Sequence, residues 1–122
     1  MGKVYLWKKQ HEKAIALSPN DADQLMGLGY ILNFTGRPED AFGLVKKAMR
    51  LNPRYPSWYL WILGHAYFLT GRYEEAIETL RRFLDLNPNF MPAHFYLAAI
   101  YSDLGRQEEA RAEVAELERL GS

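Results

Sequence analysis

The sequence predicts an all-α protein, an α-solenoid in which antiparallel helix hairpins stack side by side. Two recurring turns carry this prediction, one ending in a Leu-x-Pro phrase and one containing Gly-Arg, with successive copies 34 or 35 residues apart. The copies are marked by Pro19, Pro53 and Pro88 and by Gly36, Gly71 and Gly105. Between the turns, apolar residues follow the i, i+3, i+4, i+7 spacing of a helix. Hairpins repeated at this period can bury their apolar faces only against one another, which produces a solenoid.

Residues 1–19, the first element, depart from the repeat. The phrase QHEKAI at residues 10–15 resembles residues 72–77, yet Ala14 is followed by Pro19 after only 5 residues, where Ala76 precedes Pro88 by 12. We predict a single helix over about residues 3–17, the remnant of an incomplete repeat. Its apolar stripe consists of Val4, Trp7, His11, Ala14 and Ile15. This helix either caps the first full hairpin or swaps onto another subunit.

Each full unit is predicted to contain two helices that form a hairpin. The expected ranges are 22–35, 39–51, 57–70, 73–86, 91–104 and 107–120. In the second unit, Gly71 can adopt a left-handed cap after the first helix, and Pro88 ends the second helix. Gly64 and Ala76 are small, so we expect the two helices of this hairpin to cross closely at these residues.

The pattern Leu-x2-Leu-Gly-x2-Tyr, then Ala-x3-Leu, then Pro resembles the tetratricopeptide repeat (TPR). The resemblance covers residues 20–120 and implies three tandem repeats at 20–53, 54–88 and 89–122. A looser resemblance rests on the phrases GHAYFLTGRYEEAI and PAHFYLAAIYSDLGR, which are similar to C-terminal TPR arrays of multidomain bacterial signalling proteins, some with nucleotide-cyclase-like domains. It raises the hypothesis that this chain is a fragment or an engineered variant of such a protein.

The resemblance implies a concave groove lined by the first helix of each repeat. When the three units are aligned, residues at equivalent positions form columns. The columns that match this groove contain Trp58, Trp61, His65, Phe68 and Leu69 in the second unit. They contain Asp23, Met26, Tyr30, Asn33 and Phe34 in the first unit and Pro92, Phe95, Ala99, Ser102 and Asp103 in the third. We therefore predict a peptide-binding groove formed by Tyr30, Phe34, Trp58, Trp61, His65, Phe68 and Phe95. The alternative is that these side chains pack on one another or on the N-terminal helix.

One known use of a TPR groove is not expected here. Chaperone-binding TPR domains hold a C-terminal carboxylate with Lys, Asn and Arg at fixed groove columns. The matching residues are Met26, Tyr30, Ile62, Pro92 and Tyr96. None of them supplies a positive charge or an amide, so we predict no carboxylate clamp.

Composition and motifs argue against several other classes of function. The 15 basic and 15 acidic residues give a net charge of zero without a basic cluster, which argues against nucleic-acid binding. The chain has no cysteine, and its histidines lack metal-ligand spacing, so neither a metal nor a cofactor is expected. His94 occupies a core column and should be a packed, hydrogen-bonded histidine. No catalytic motif is present, so we predict that the protein is not an enzyme.

The sequence also predicts a cytoplasmic location without a membrane partner. No stretch reaches the roughly 20 apolar residues of a membrane span. The N-terminus lacks the charged, apolar and small-residue regions of a signal peptide.

Two functional hypotheses follow from the exposed apolar surface that the repeat implies. The first is a protein-interaction scaffold that binds an apolar or aromatic-bearing peptide or helix in the groove. The second is self-association as a homodimer, because the N-terminal repeat at residues 1–19 is incomplete and no further polar helix follows residue 120 in the sequence. The residues expected to mediate self-association are Val4, Trp7, His11, Val114, Leu117 and Leu120.

Overall fold

Residues 19–121 are described by the computed structural model, and they form six α-helices. The helices are α1 (Pro19–Phe34), α2 (Pro38–Leu51), α3 (Trp58–Leu69), α4 (Tyr73–Leu86), α5 (Met91–Asp103) and α6 (Gln107–Gly121). They pair into the hairpins α1/α2, α3/α4 and α5/α6, and consecutive hairpins stack through α3 and α5. The predicted all-α solenoid is confirmed. The N-terminal helix predicted over residues 3–17 lies outside the described residues.

The predicted helix boundaries agree with the structure to within one residue, except at the start of α1. That helix begins at Pro19 and not at residue 22. A proline is well suited to the first turn of a helix, because its missing N–H is not needed there and its φ angle is already helical. Pro19 therefore opens the first described helix.

Each hairpin turns through a glycine in the left-handed region. The φ angles are +79° at Gly36, +74° at Gly71 and +76° at Gly105. The arginine that follows each glycine donates its backbone N–H to a carbonyl five residues earlier, as Arg72 does to Tyr67 O at 2.9 Å. This bond closes a Schellman cap and satisfies a carbonyl that the helix end would leave unpaired. The recurring glycine is thus explained by the backbone of the turn, whereas any residue with a backbone N–H could follow it.

The helices of the second hairpin cross closely at Gly64, as predicted, and those of the first hairpin do so at Gly29. A Cβ atom at Gly64 would lie 2.6 Å from Leu80 Cδ2, and one at Gly29 would lie 2.8 Å from Val45 Cγ2. Both distances are shorter than carbon atoms tolerate, so a larger residue at either position would force the facing side chain to move. Leu80 and Val45 are fully buried in the crossing.

The middle helix, α3, is buried on most of its circumference. Eight of its 12 residues are buried, since it packs against α4 in its own hairpin and against helices of both neighbouring hairpins. Tyr59 is fully buried, and its hydroxyl donates a hydrogen bond to the Asp23 carboxylate on α1. Burial and this bond raise the pKa of Tyr59 to about 12. The apolar run from residue 58 to 69 is therefore largely core.

A buried polar cluster joins the second and third hairpins. His94 Nδ1 lies 2.6 Å from Glu113 Oε2, and His94 Nε2 lies 2.7 Å from Pro88 O. Arg81 Nη2 lies 2.7 Å from the other oxygen of Glu113. Both ring nitrogens face acceptor oxygens, so the imidazole is held from two sides. The expectation of a packed, hydrogen-bonded His94 is confirmed.

Candidate functional site

Aromatic side chains from α1, α3 and α5 form a contiguous surface, here called the aromatic face. It consists of Tyr30, Phe34, Trp58, Trp61, His65, Phe68, Phe95 and Tyr96. The ring centroids of Phe34 and His65 are 5.0 Å apart, and those of Trp61 and Tyr96 are 5.3 Å apart. Spacings of this size fall within the usual range of interacting aromatic pairs. The face therefore crosses all three hairpins, because Tyr30 and Phe34 contact His65 on α3, and Trp61, His65 and Phe68 contact Tyr96 on α5.

The outer members of the aromatic face are accessible to a partner. Phe34 is 63% exposed and Phe95 is 61% exposed, although both are large and apolar. Trp58 and Tyr30 are also exposed, whereas Trp61 is only partly exposed. Trp58 contacts the ring of Tyr59 at 4.7 Å and lies at one end of the surface.

His65 forms the floor of the aromatic face. It is only 2% exposed and is surrounded by the rings of Phe34, Trp61 and Tyr96. Its Nε2 lies 3.3 Å from the Tyr96 hydroxyl, while its Nδ1 has no hydrogen-bond partner within residues 19–121. Burial lowers the pKa of His65 below its ordinary value. The imidazole therefore supports the exposed rings as a neutral group.

The structure adds Tyr96 to the predicted set. Its ring stacks on Phe68 with centroids 4.7 Å apart, and it separates that residue from Phe95. Together with Met91, Pro92 and Leu117 it lines an apolar groove of about 350 Å³ at the end of the face. The equivalent positions hold Gly27 and Ile62, so an aromatic residue in that column was the available signal.

Two residues of the matched columns are buried and do not belong to the aromatic face. Met26 is fully buried, and Asn33 is 4% exposed. Asn33 Nδ2 donates to Ile62 O at 3.4 Å, and its Oδ1 has no hydrogen-bond partner in the described part of the chain. These side chains turn into the junction between α1 and α3, which removes them from any ligand.

Carboxylates stand at two corners of the aromatic face. Asp103 Oδ2 accepts a hydrogen bond from the Tyr73 hydroxyl at 3.0 Å, and this bond raises the pKa of Tyr73. The Tyr73 ring stacks against Phe68. At the opposite corner, Asp23 accepts the hydrogen bond from Tyr59. Both carboxylates are exposed.

The residues predicted to mediate self-association are only partly within the described chain. Val114 is 45% exposed, although Val45 and Leu80 in the same column are fully buried. Leu117 and Leu120 are partly buried, and Leu117 lines the apolar groove beside Phe95. The predicted N-terminal contacts Val4, Trp7 and His11 lie outside the described residues.

The arrangement offers a surface for binding. Across residues 19–121, no group of three His, Asp or Glu side chains is placed to hold a metal ion. In the same part of the chain, no helix has the length and apolar character needed to cross a membrane.

Comparison with known proteins matches both the repeat and the fold. Residues 64–105 match the family model of the TPR repeat. A crystal structure of MamA has a TM-score of 0.78 at 26% identity, covering 90% of this chain and 64% of that chain. A mutant of MamA has a TM-score of 0.76 at 28% identity, covering 98% of this chain and 86% of that chain. Among curated proteins, none matches this sequence.

A third solved structure shares the fold at lower identity. It is PcrH in complex with the chaperone-binding region of PopB, with a TM-score of 0.73 and 24% identity, covering 85% of this chain and 83% of that chain. Residues 64–105 are thus similar to the TPR repeat, and the fold of the chain is similar to that of MamA.

Proposed function

We propose that this protein is a protein-interaction scaffold of three TPR repeats whose aromatic face binds an apolar or aromatic-bearing peptide or helix. The observation that supports this function is the run of contacting rings across three hairpins, with Phe34 and Phe95 each more than 60% exposed. Contiguous exposed apolar surface is uncommon in monomers and usually marks an interaction site. Aromatic residues are also enriched among the residues that dominate binding energy.

The solved structures support the class of function and not the identity of a partner. PcrH is solved in complex with a region of PopB, so a chain of this fold can hold a segment of another protein. We infer a non-enzymatic role, since TPR repeats typically serve as scaffolds. The cytoplasmic location and the likeness to bacterial signalling arrays stay predictions of the sequence.

The test is a peptide selection against the full chain, followed by affinity measurements on variants. We expect Phe34→Ala and Phe95→Ala each to weaken a selected peptide by more than about 1 kcal/mol, because these exposed rings are the contact surface. Trp61→Ala should do the same while the helical circular dichroism spectrum persists. Leu86→Ala is the matched control, since Leu86 is 67% exposed but lies on α4, away from the face. Equal affinity for the parent and all three aromatic variants would rule out this surface.

A second candidate function is self-association through the outer side of α6. The observation that favours it is the exposure of Val114 in a column that is fully buried in the first two hairpins. Light scattering on a size-exclusion column distinguishes the candidates, because one chain has a mass of 14.2 kDa. A measured mass of twice that value over a tenfold range of concentration would favour the homodimer if Val114→Glu reduces it to the mass of one chain.

A further inference from the structure

The first helices of the three hairpins differ from the second helices in charge. Helices α1, α3 and α5 contain three aspartates and no Lys or Arg. Every Lys and Arg within residues 19–121 lies on α2, α4 or α6 or in a connecting segment. The helices that carry the aromatic face therefore present negative charge alone.

We propose that the aromatic face selects a partner segment that carries Lys or Arg beside its apolar anchors. This inference rests on the proposed binding function and adds the charge of the partner to it. The partner is a cationic, apolar peptide or helix, since an acidic segment meets like charge on the helices that line the surface. The selectivity is opposite in sign to that of a carboxylate clamp.

Each of the two corner carboxylates is held by a tyrosine whose ring contacts a ring of the aromatic face. Asp23 accepts a hydrogen bond from Tyr59, whose ring contacts Trp58 at 4.7 Å. Asp103 accepts its bond from Tyr73, whose ring lies 6.3 Å from Phe68. A carboxylate accepts several hydrogen bonds, so each aspartate keeps capacity for a cation after binding its tyrosine.

An aromatic ring next to a carboxylate is a favourable site for a cation. The negative face of the ring attracts an ammonium or guanidinium group, and a carboxylate within a Debye length adds to that attraction. The chain already uses this contact elsewhere, with Arg72 4.4 Å from the ring centroid of Phe42 and Arg106 4.9 Å from that of Tyr101. Phe42 and Tyr101 lie outside the aromatic face, so these cations of the chain are placed on other rings.

The experiment compares three labelled 15-residue peptides by fluorescence anisotropy with the full chain. The peptides have Leu and Trp at the same positions. They differ only at four other positions, which are all Lys, all Gln or all Glu. We expect the Lys peptide to bind about tenfold more tightly than the Glu peptide at low salt, with the Gln peptide between them. The difference should largely disappear at about 1 M salt, where the Debye length is about 3 Å.

Variants locate the source of the selectivity. The double variant Asp23→Asn, Asp103→Asn keeps an oxygen acceptor for each tyrosine but removes both charges, so it should lose most of the preference for the Lys peptide. Asp85→Asn is the matched control, because Asp85 is exposed on α4 and the change in charge is of the same kind. A preference that survives in the double variant, or that falls equally in the control, would overturn the inference.

The remaining outcomes separate this inference from the function on which it rests. Equal binding of all three peptides at low salt would overturn the charge selectivity and leave the binding function intact. Binding of none would overturn both. Light scattering on the same samples completes the test. If the chain is a dimer, and the Lys peptide neither binds to it nor dissociates it, a second copy of the chain covers the aromatic face.

Discussion

The crossing of α3 and α4 offers the sharpest test of how this fold is packed. A Cβ atom at Gly64 would lie 2.6 Å from Leu80 Cδ2 and 2.9 Å from Leu80 Cγ, and Leu80 is fully buried. A Cβ atom at Gly27, within α1, meets no atom within 4 Å. Substituting alanine at each glycine therefore separates steric crowding from the preference of a helix for alanine.

The expected magnitude follows from two opposing terms. Both substitutions gain helix propensity of about 0.8–1.0 kcal/mol. Only Gly64→Ala also forces a methyl group into a packed interface, at a cost of about 1–3 kcal/mol. We expect Gly27→Ala to raise the free energy of unfolding by about 1 kcal/mol and Gly64→Ala to lower it by about 1 kcal/mol. In a domain of this size, 1 kcal/mol shifts Tm by about 4 °C.

Thermal and urea unfolding followed by far-ultraviolet circular dichroism measures both variants against the parent. Adding Leu80→Ala to Gly64→Ala removes the crowding atoms, so the two changes should be non-additive by more than about 1 kcal/mol in a double-mutant cycle. If Gly64→Ala melts at or above the temperature of Gly27→Ala, Leu80 moves aside without cost. The glycine would then not be required by the crossing.

Three further perturbations test other parts of the structure. Burial holds the pKa of His65 below its ordinary 6.5, so the unfolded chain binds a proton before the folded chain does as the pH falls. The parent should therefore lose more stability than His65→Phe between about pH 7.5 and about pH 5. The midpoints of urea unfolding measure this difference. Gly71→Ala places a side chain at a φ of +74° and should lower the free energy of unfolding by about 1 kcal/mol in the same assay. Glu113→Gln removes the charge shared by Arg81 and His94, and the loss of two charge-assisted hydrogen bonds should cost about 1.5–3 kcal/mol at an unchanged m-value. If a variant does not differ from the parent in this way, the role assigned to its contact is wrong.

The fold could be predicted from the sequence because its determinants are local and repeated. Glycine at Gly36, Gly71 and Gly105 is required by the left-handed turn, and the small residues Gly29 and Gly64 are required by the close crossing. Each constraint recurs at a fixed period, with three copies of the turn and two of the glycine crossing, so repetition identifies it without any long-range information. The start of α1 was the least accurate boundary, because a proline is compatible both with the end of one element and with the first turn of the next.

The site was less predictable, because the position of a residue in the repeat indicates the direction of its side chain but not how much of that side chain its neighbours leave exposed. Met26 shares a column with Trp61 and Asn33 shares one with Phe68, yet Met26 and Asn33 are buried, and Asn33 bonds to Ile62 O. Tyr96 was missed because it lies one position beyond the expected column and reaches the surface by stacking on Phe68. Glu113 is buried because its partner His94 comes from another helix, 19 residues away, which a helical period does not reveal.

The oxygen Oδ1 of Asn33 gives the two junctions of the solenoid different chemistry. Within residues 19–121 this buried acceptor has no hydrogen-bond partner, which costs about 1–3 kcal/mol at the junction of the first and second hairpins. The same junction contains the bond of Tyr59 to Asp23, whereas the junction of the second and third hairpins contains the bonds of Arg81 to Tyr101 and Glu113. In a linear array, stability is a sum over hairpins and junctions, so each junction separates at its own free energy. Deuterium exchange of the amide hydrogens of α1 and α2, compared with those of α5 and α6, would show which terminal hairpin detaches first.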